Sequence, residues 1–248
     1  MPISTIQQVI DELDNIINHC ESNGSRQGFF AALYKCMTQA VQKGLQQNAF
    51  EDGPRMEKLD VIFANRYIDA WHCYQLKQPC SKSWQFAFDA CENKSLIVLQ
   101  HLLLGINTHI NLDLAIAAAA TAEGTDIFAL QKDFDSINDT IAALTSEVQT
   151  KLEKICWPMK LVRNVVNGKE EAVINFSITA ARKASWANAV TLATVQGAAS
   201  ENYIEDIDQT VLHIGNAIVK PEWYKQLLIK FVMWFEEKNV RKIIGIIR

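Results

Sequence analysis

From Leu96 to Ala120 the chain runs almost without charge, yet it places His101, Asn107, His109, Asn111 and Asp113 inside that run. A helix that is apolar nearly all round is a buried helix. Polar side chains on such a helix need partners or a ligand, because an unpaired buried polar group costs roughly 1–3 kcal/mol. The segment therefore predicts a central core helix and marks where a site is to be sought.

The spacing on that helix is specific. At about 100° per residue, with His101 at zero, Gly105 falls at roughly 40°, His109 at roughly 80° and Asp113 at roughly 120°. The four form one stripe. Asn107 and Asn111 lie on another flank. His109 and Asp113, at i and i+4, are placed to share a metal ion or to pair as an imidazole and its orienting carboxylate. Gly105 costs about 1 kcal/mol against alanine inside a helix, so close packing or ligand room is expected there.

The rest of the chain reads as helix too. Ser4 or Thr5 caps a first helix to about Cys20, with Ile6, Val9, Ile10, Leu13, Ile16 and Ile17 at helical spacing. A second covers about Gln27–Gln47, and Asp52-Gly53-Pro54 is the clearest loop. A third, about Pro54–Leu76, carries the polar stripe Asn65, Asp69 and His72, with Asp60 and Arg66 on other faces. Ser81 caps a short helix holding Trp84, Phe86 and Phe88. After the central helix come about Ile127–Ile155, a break at Pro158, a turn at Asn167-Gly168, and helices near Ala172–Gly197 and Tyr203–Ile218. The last helix, Glu222–Asn239 with Pro221 at its start, is expected to bury Trp223, Leu227, Phe231 and Trp234. The basic, apolar tail Arg241–Arg248 docks on the body or contacts another chain. The expectation is all-α: a single-domain multi-helix bundle, residues 1–248, around a buried central helix.

Composition narrows the function classes. Half of the residues are hydrophobic, and few are proline or glycine, which favours helix. The net charge is −4 without a basic cluster outside the tail, so nucleic acid is not an expected partner. Six cysteines without a C-x-x-C pair read as thiols of a reducing compartment, and the N-terminus lacks a signal pattern, so the expected location is cytoplasmic. The charge-poor run is expected to be core and not a membrane span. Nucleophile elbow, phosphate loop, dinucleotide fingerprint and H-E-x-x-H are all absent.

Two resemblances follow from named strings. The pattern H-x-x-x-G-x-N-x-H-I-N-x-D-L, from His101 to Leu114, resembles an uncharacterised, mostly bacterial domain-of-unknown-function family. Phe63–Ala70, Trp84 with Ala87 and Phe88, Asp133-Phe134 with Ile137 and Asn138, and Ala181-Arg182 with Trp186 resemble it as well, over roughly Leu59 to Ala189. This resemblance implies a single helical domain and brings no activity. More locally, Leu104, Gly105, His109 and Asp113 are similar to the metal helix of the zinc-dependent phospholipase C and S1-type nuclease group. The further histidine of that group is absent between His109 and His213.

Three functional readings stand at this point. In the first, a metal-dependent hydrolase of an ester or phosphoester, His109, Asp113 and Asp69 hold a divalent ion, zinc or manganese. Asp69 is a further ligand or the base for a bound water, and His101 serves as acid, base or orienting group. Asn65, Asn107, Asn111, Arg182 and Trp186 are the expected substrate contacts. In the second, a non-catalytic helical protein binds a small apolar or amphipathic ligand and the polar residues hold the helices together. In the third, a scaffold acts through protein partners at the tail.

Overall fold

The computed structural model describes residues 3–156 and 169–248, apart from the side chains of 138–146, 149, 169–177, 224, 225 and 228. The Pro158 break, the Asn167-Gly168 turn and the side chain of Asn138 lie outside the described residues.

Eleven α-helices are present among the described residues, and no strand. Helix α1 (Ile6–Asn23) starts at Thr5, whose hydroxyl accepts from the Gln8 N–H while the Gln8 side chain accepts from the Thr5 N–H. It ends at Gly24, where φ is 63° and a side chain would be strained. Its buried residues are the predicted ones with Cys20 added. Helix α2 (Gln27–Gln46) packs on α1, and α3 (Gly53–Gln75) is capped by Asp52 with Pro54 in its first turn. Helix α4 (Lys82–Ala90) is capped twice: Ser81 accepts from Trp84 N–H, and Asp208, from far along the chain, accepts from Lys82 N–H and Ser83 N–H at 2.7 and 3.0 Å.

The central helix is one continuous rod in three parts. It comprises α5 (Val98–Thr108), a π-helical turn at His109–Asp113, and α6 (Leu114–Thr121). In the turn Leu114 N–H reaches back five residues to the His109 carbonyl. The rod is long and apolar enough to cross a membrane by composition, but two thirds of it is buried among the other helices. Helices α2, α4 and α9 (Ala198–Val219) pack on α5, while α3 and α8 (Lys169–Leu192) pack on α6. A 3-10 turn at Ile127–Leu130 precedes α7 (Gln131–Ile155), where a single helix is expected from the sequence.

The C-terminal region departs from expectation. In α10 (Trp223–Phe235) the four residues expected in the core are exposed: Trp223 by 74%, Leu227 by 60%, Phe231 by 51% and Trp234 by 83%. The opposite arc packs instead, with Val232, Ile229 and Met233 against Ile97, Leu99 and Cys156. Apolar residues occupy both arcs of α10, so spacing alone does not say which arc meets the body. The tail, α11 (Val240–Ile247), docks on the body. Ile243, Ile244 and Ile247 are buried, Arg241 donates to the Glu21 and Ser22 carbonyls, and Arg248 pairs with Asp14. Burying each isoleucine stabilises by roughly 1.5–3 kcal/mol, which explains a fixed tail.

Candidate functional site

The π turn carries His109 and Asp113 into the core. His109 Nδ1 lies 3.0 Å from Asp113 Oδ2, and the same oxygen accepts from Trp84 Nε1 at 2.8 Å. Asp113 Oδ1 faces Arg66 Nε at 3.4 Å. Asp113 is fully buried, and its charge is met by a guanidinium and an indole N–H. Since the carboxylate accepts, Nδ1 is the protonated nitrogen of His109 and Nε2 presents a lone pair. The ring is clamped: it stacks on Phe63 at 3.6 Å between centroids and meets Tyr34 edge-on at 4.4 Å. Burial lowers its pKa, only partly opposed by Asp113, so the ring is neutral near pH 7.

Beside this ring lies a cavity of about 370 Å³ bounded by α2, α3, the central helix, α7 and α8. Its walls are mostly apolar, with Leu33, Met37, Leu59, Leu102, Ile106 and Leu114 among them. Three of its residues carry buried polar atoms without a hydrogen-bond partner: His109 Nε2, the Tyr34 hydroxyl and Asp60 Oδ2. Burial pushes the Asp60 carboxyl up to about 7, with Glu57 adding to the effect, and holds the Tyr34 phenol neutral. Neither Tyr34 nor Asp60 is marked by the sequence reading. The available signal is Asp60 alone among Leu59, Val61, Ile62 and Phe63, a carboxylate where a helix is otherwise apolar.

The other expected site residues are placed as follows. His101 is buried on a different wall, at a small cavity of about 40 Å³ lined also by Arg26, Lys94, Glu236 and Lys238. Its pKa is lowered to about 4, by burial and then by Arg26, and Phe29 packs edge-on against it at 5.9 Å. The Phe30 ring fills the space left by Gly105. Asp69 is exposed on α3, Asn65 donates to the Ile3 carbonyl at 3.1 Å, and His72 pairs with Glu12 at 2.8 Å. The expected three-ligand set of His109, Asp113 and Asp69 is therefore not assembled, because two members are in the core and the third faces out. Among the described residues no three His, Cys, Asp or Glu side chains group as a metal site requires.

Asn107 donates to the Val211 carbonyl at 2.9 Å and accepts from Asn111 at 3.0 Å, so this pair binds the central helix to α9. Arg182 lies on the large cavity, donates to the Phe134 carbonyl and places its guanidinium 4.5 Å over the Phe134 ring. Trp186 packs on that same ring at 4.8 Å. Asp133, in the first turn of α7, accepts from Glu51 N–H, Asp52 N–H and Arg55, and so holds the loop before α3.

The family model of a family of unknown function, DUF5995, matches residues 6–221, and the chain belongs to that family. The match extends the likeness expected over Leu59–Ala189 on both sides. No curated protein and no solved structure matches the chain.

Proposed function

We propose that this DUF5995 protein binds a small amphipathic molecule in the cavity beside His109. The apolar body of the ligand lies against Leu33, Leu59 and Ile106. Its polar end, a hydroxyl or a carboxyl group, meets His109 Nε2, the Tyr34 hydroxyl and Asp60. The observation that carries this reading is one otherwise apolar cavity lined by His109, Tyr34 and Asp60, from three elements, each of which holds a buried polar atom without a partner. Such a cavity has the size and lining of a small-molecule pocket. Unpartnered buried polar atoms cost roughly 1–3 kcal/mol each, and a ligand that bonds to them recovers that cost.

The test is fluorescence titration with cis-parinaric acid, with decanol and decanoic acid as competitors. Saturable one-to-one binding that both competitors displace, and that Ile106→Trp abolishes without loss of helicity, supports the reading. Absence of saturable binding, or equal binding by the Ile106→Trp variant, sinks it.

A second reading rests on the His109–Asp113 pair. An oriented neutral imidazole suits a general base in a hydrolase, alone or with a divalent ion such as zinc or manganese. It is less favoured, because Trp84, Arg66 and His109 already engage both Asp113 oxygens and Asp69 is remote in burial. Elemental analysis of tag-free protein checks it: near-stoichiometric metal that disappears in His109→Ala restores the metal reading.

A further inference from the structure

Helix α10 turns Trp223, Leu227, Phe231 and Trp234 outward along one arc, with Phe235 partly exposed at its edge. The arc spans roughly 17 Å at about 1.5 Å per residue and has an indole at each end. Contiguous exposed apolar surface of this kind marks an interaction site. The helix is not loose. Its other arc packs on Ile97, Leu99 and Cys156, Glu236 accepts from Val98 N–H at 2.9 Å, and Glu237 N–H donates to the Ile155 carbonyl at 2.9 Å. The aromatic arc is thus presented by a fixed helix lying along the body.

The margins of the helix carry exposed lysines. From Lys220 to Lys238 there are four basic and three acidic residues, and of the acids Glu236 accepts from Val98 N–H and Glu237 pairs with Lys242. Lys220 and Lys238 are exposed just beyond the two ends of α10, Lys230 is exposed on its flank, and Lys94 and Lys238 are exposed at the small cavity beside its C-terminal end. Tryptophan and phenylalanine along one arc, lysines at its margins and an orientation parallel to the surface are the features of a helix that sits in a membrane interface. The family match ends at residue 221, immediately before this helix. We propose that α10 docks this protein reversibly on an anionic lipid bilayer, with Leu227, Phe231 and Trp234 entering the headgroup region and the flanking lysines meeting lipid phosphates. This inference stands whether or not the internal cavity holds a ligand.

The test is flotation of the full chain with vesicles of phosphatidylcholine alone and of phosphatidylcholine with about one third phosphatidylglycerol. Binding at least about tenfold tighter to the anionic vesicles is expected, weakened by salt. The double variant Phe231→Ser, Trp234→Ser is expected to bind at least about tenfold more weakly, since it removes two large apolar groups from the contact. Lys230→Glu with Lys238→Glu, which leaves the apolar arc untouched, is expected to lose the preference for anionic vesicles. The cavity-blocked Ile106→Trp chain is expected to bind vesicles as wild type does. No binding to either vesicle type, or binding that neither double variant changes, overturns the proposal. So does wild-type dimerisation that the Phe231, Trp234 variant abolishes, when vesicle binding is absent.

Discussion

The ring of Phe30 occupies the place where a side chain on Gly105 would stand: a Cβ built there lies 2.4 Å from two ring carbons. This contact fixes Phe30 against the central helix, with its ring 5.7 Å from the His109 ring. Gly105→Ala gains about 1 kcal/mol of helix propensity and forces an aromatic ring to shift. Overpacking of this kind costs roughly 1–3 kcal/mol, so a net loss of stability is expected in urea denaturation.

Asp113 and Asp69 are expected to behave oppositely. Asp113→Ala leaves the Trp84 indole and the His109 Nδ1–H without an acceptor and Arg66 without its ion pair. A loss of about 3–5 kcal/mol follows from breaking a buried pair on one side. Asp69→Ala, on an exposed position, is expected to stay within about 0.5 kcal/mol. Urea denaturation of both variants separates the two roles.

Two buried groups give pH dependences of opposite sign. Asp60 rises from 3.8 to about 7 on folding, so the folded state holds its proton more tightly and stability falls as pH rises from about 4 to 7. His101 falls from 6.5 to about 4, so the folded state sheds its proton more readily and stability rises between about pH 4 and 6.5. In the wild type these slopes oppose each other. Asp60→Asn removes the first and leaves the second, so the variant gains on wild type as pH rises from 4 to 7. Melting temperatures of both proteins across that range measure the gap, and a gap that stays constant refutes the assignment.

These features differ in how far the sequence exposed them. The start of α1 was legible because capping is local: the Thr5 hydroxyl serves the N–H of Gln8, three residues on. The central helix was legible because an apolar run with few charges has one comfortable place, the core. The reach of Asp208 to the start of α4 and of Asp133 to the loop before α3 was not, since a carboxylate is equally plausible as its own helix cap. The sharing of one cavity by Tyr34, Asp60 and His109 depends on how three helices rotate about one another. The arc that α10 turns inward depends on Ile97, Leu99 and Cys156, which lie far from it in sequence.

The tail offers a direct check on its docking. Gly28 makes room for Ile244, whose side chain lies 2.6 Å from where a Cβ would be. Ile244→Ala is expected to cost about 2–5 kcal/mol, the range for emptying a buried isoleucine site. Gly28→Val is expected to destabilise as well and to make residues 240–248 open to proteolysis. Limited digestion followed by intact mass measurement reads this out.

The wide turn at His109–Asp113 means that the two halves of the central helix do not share one angular register. Before it the rod is keyed to α2, α4 and α9; after it, to α3 and α8. A π turn advances less per residue than the about 100° of ordinary α winding, so it absorbs one extra residue, and the residues after it fall about one position out of the spacing set before it. The bulge is thus a joint between two packing environments. An insertion into the regular winding on either side of it, which would rotate everything downstream by about 100° relative to everything upstream, is expected to be tolerated far less well than a change of length in the loops at the rod's ends.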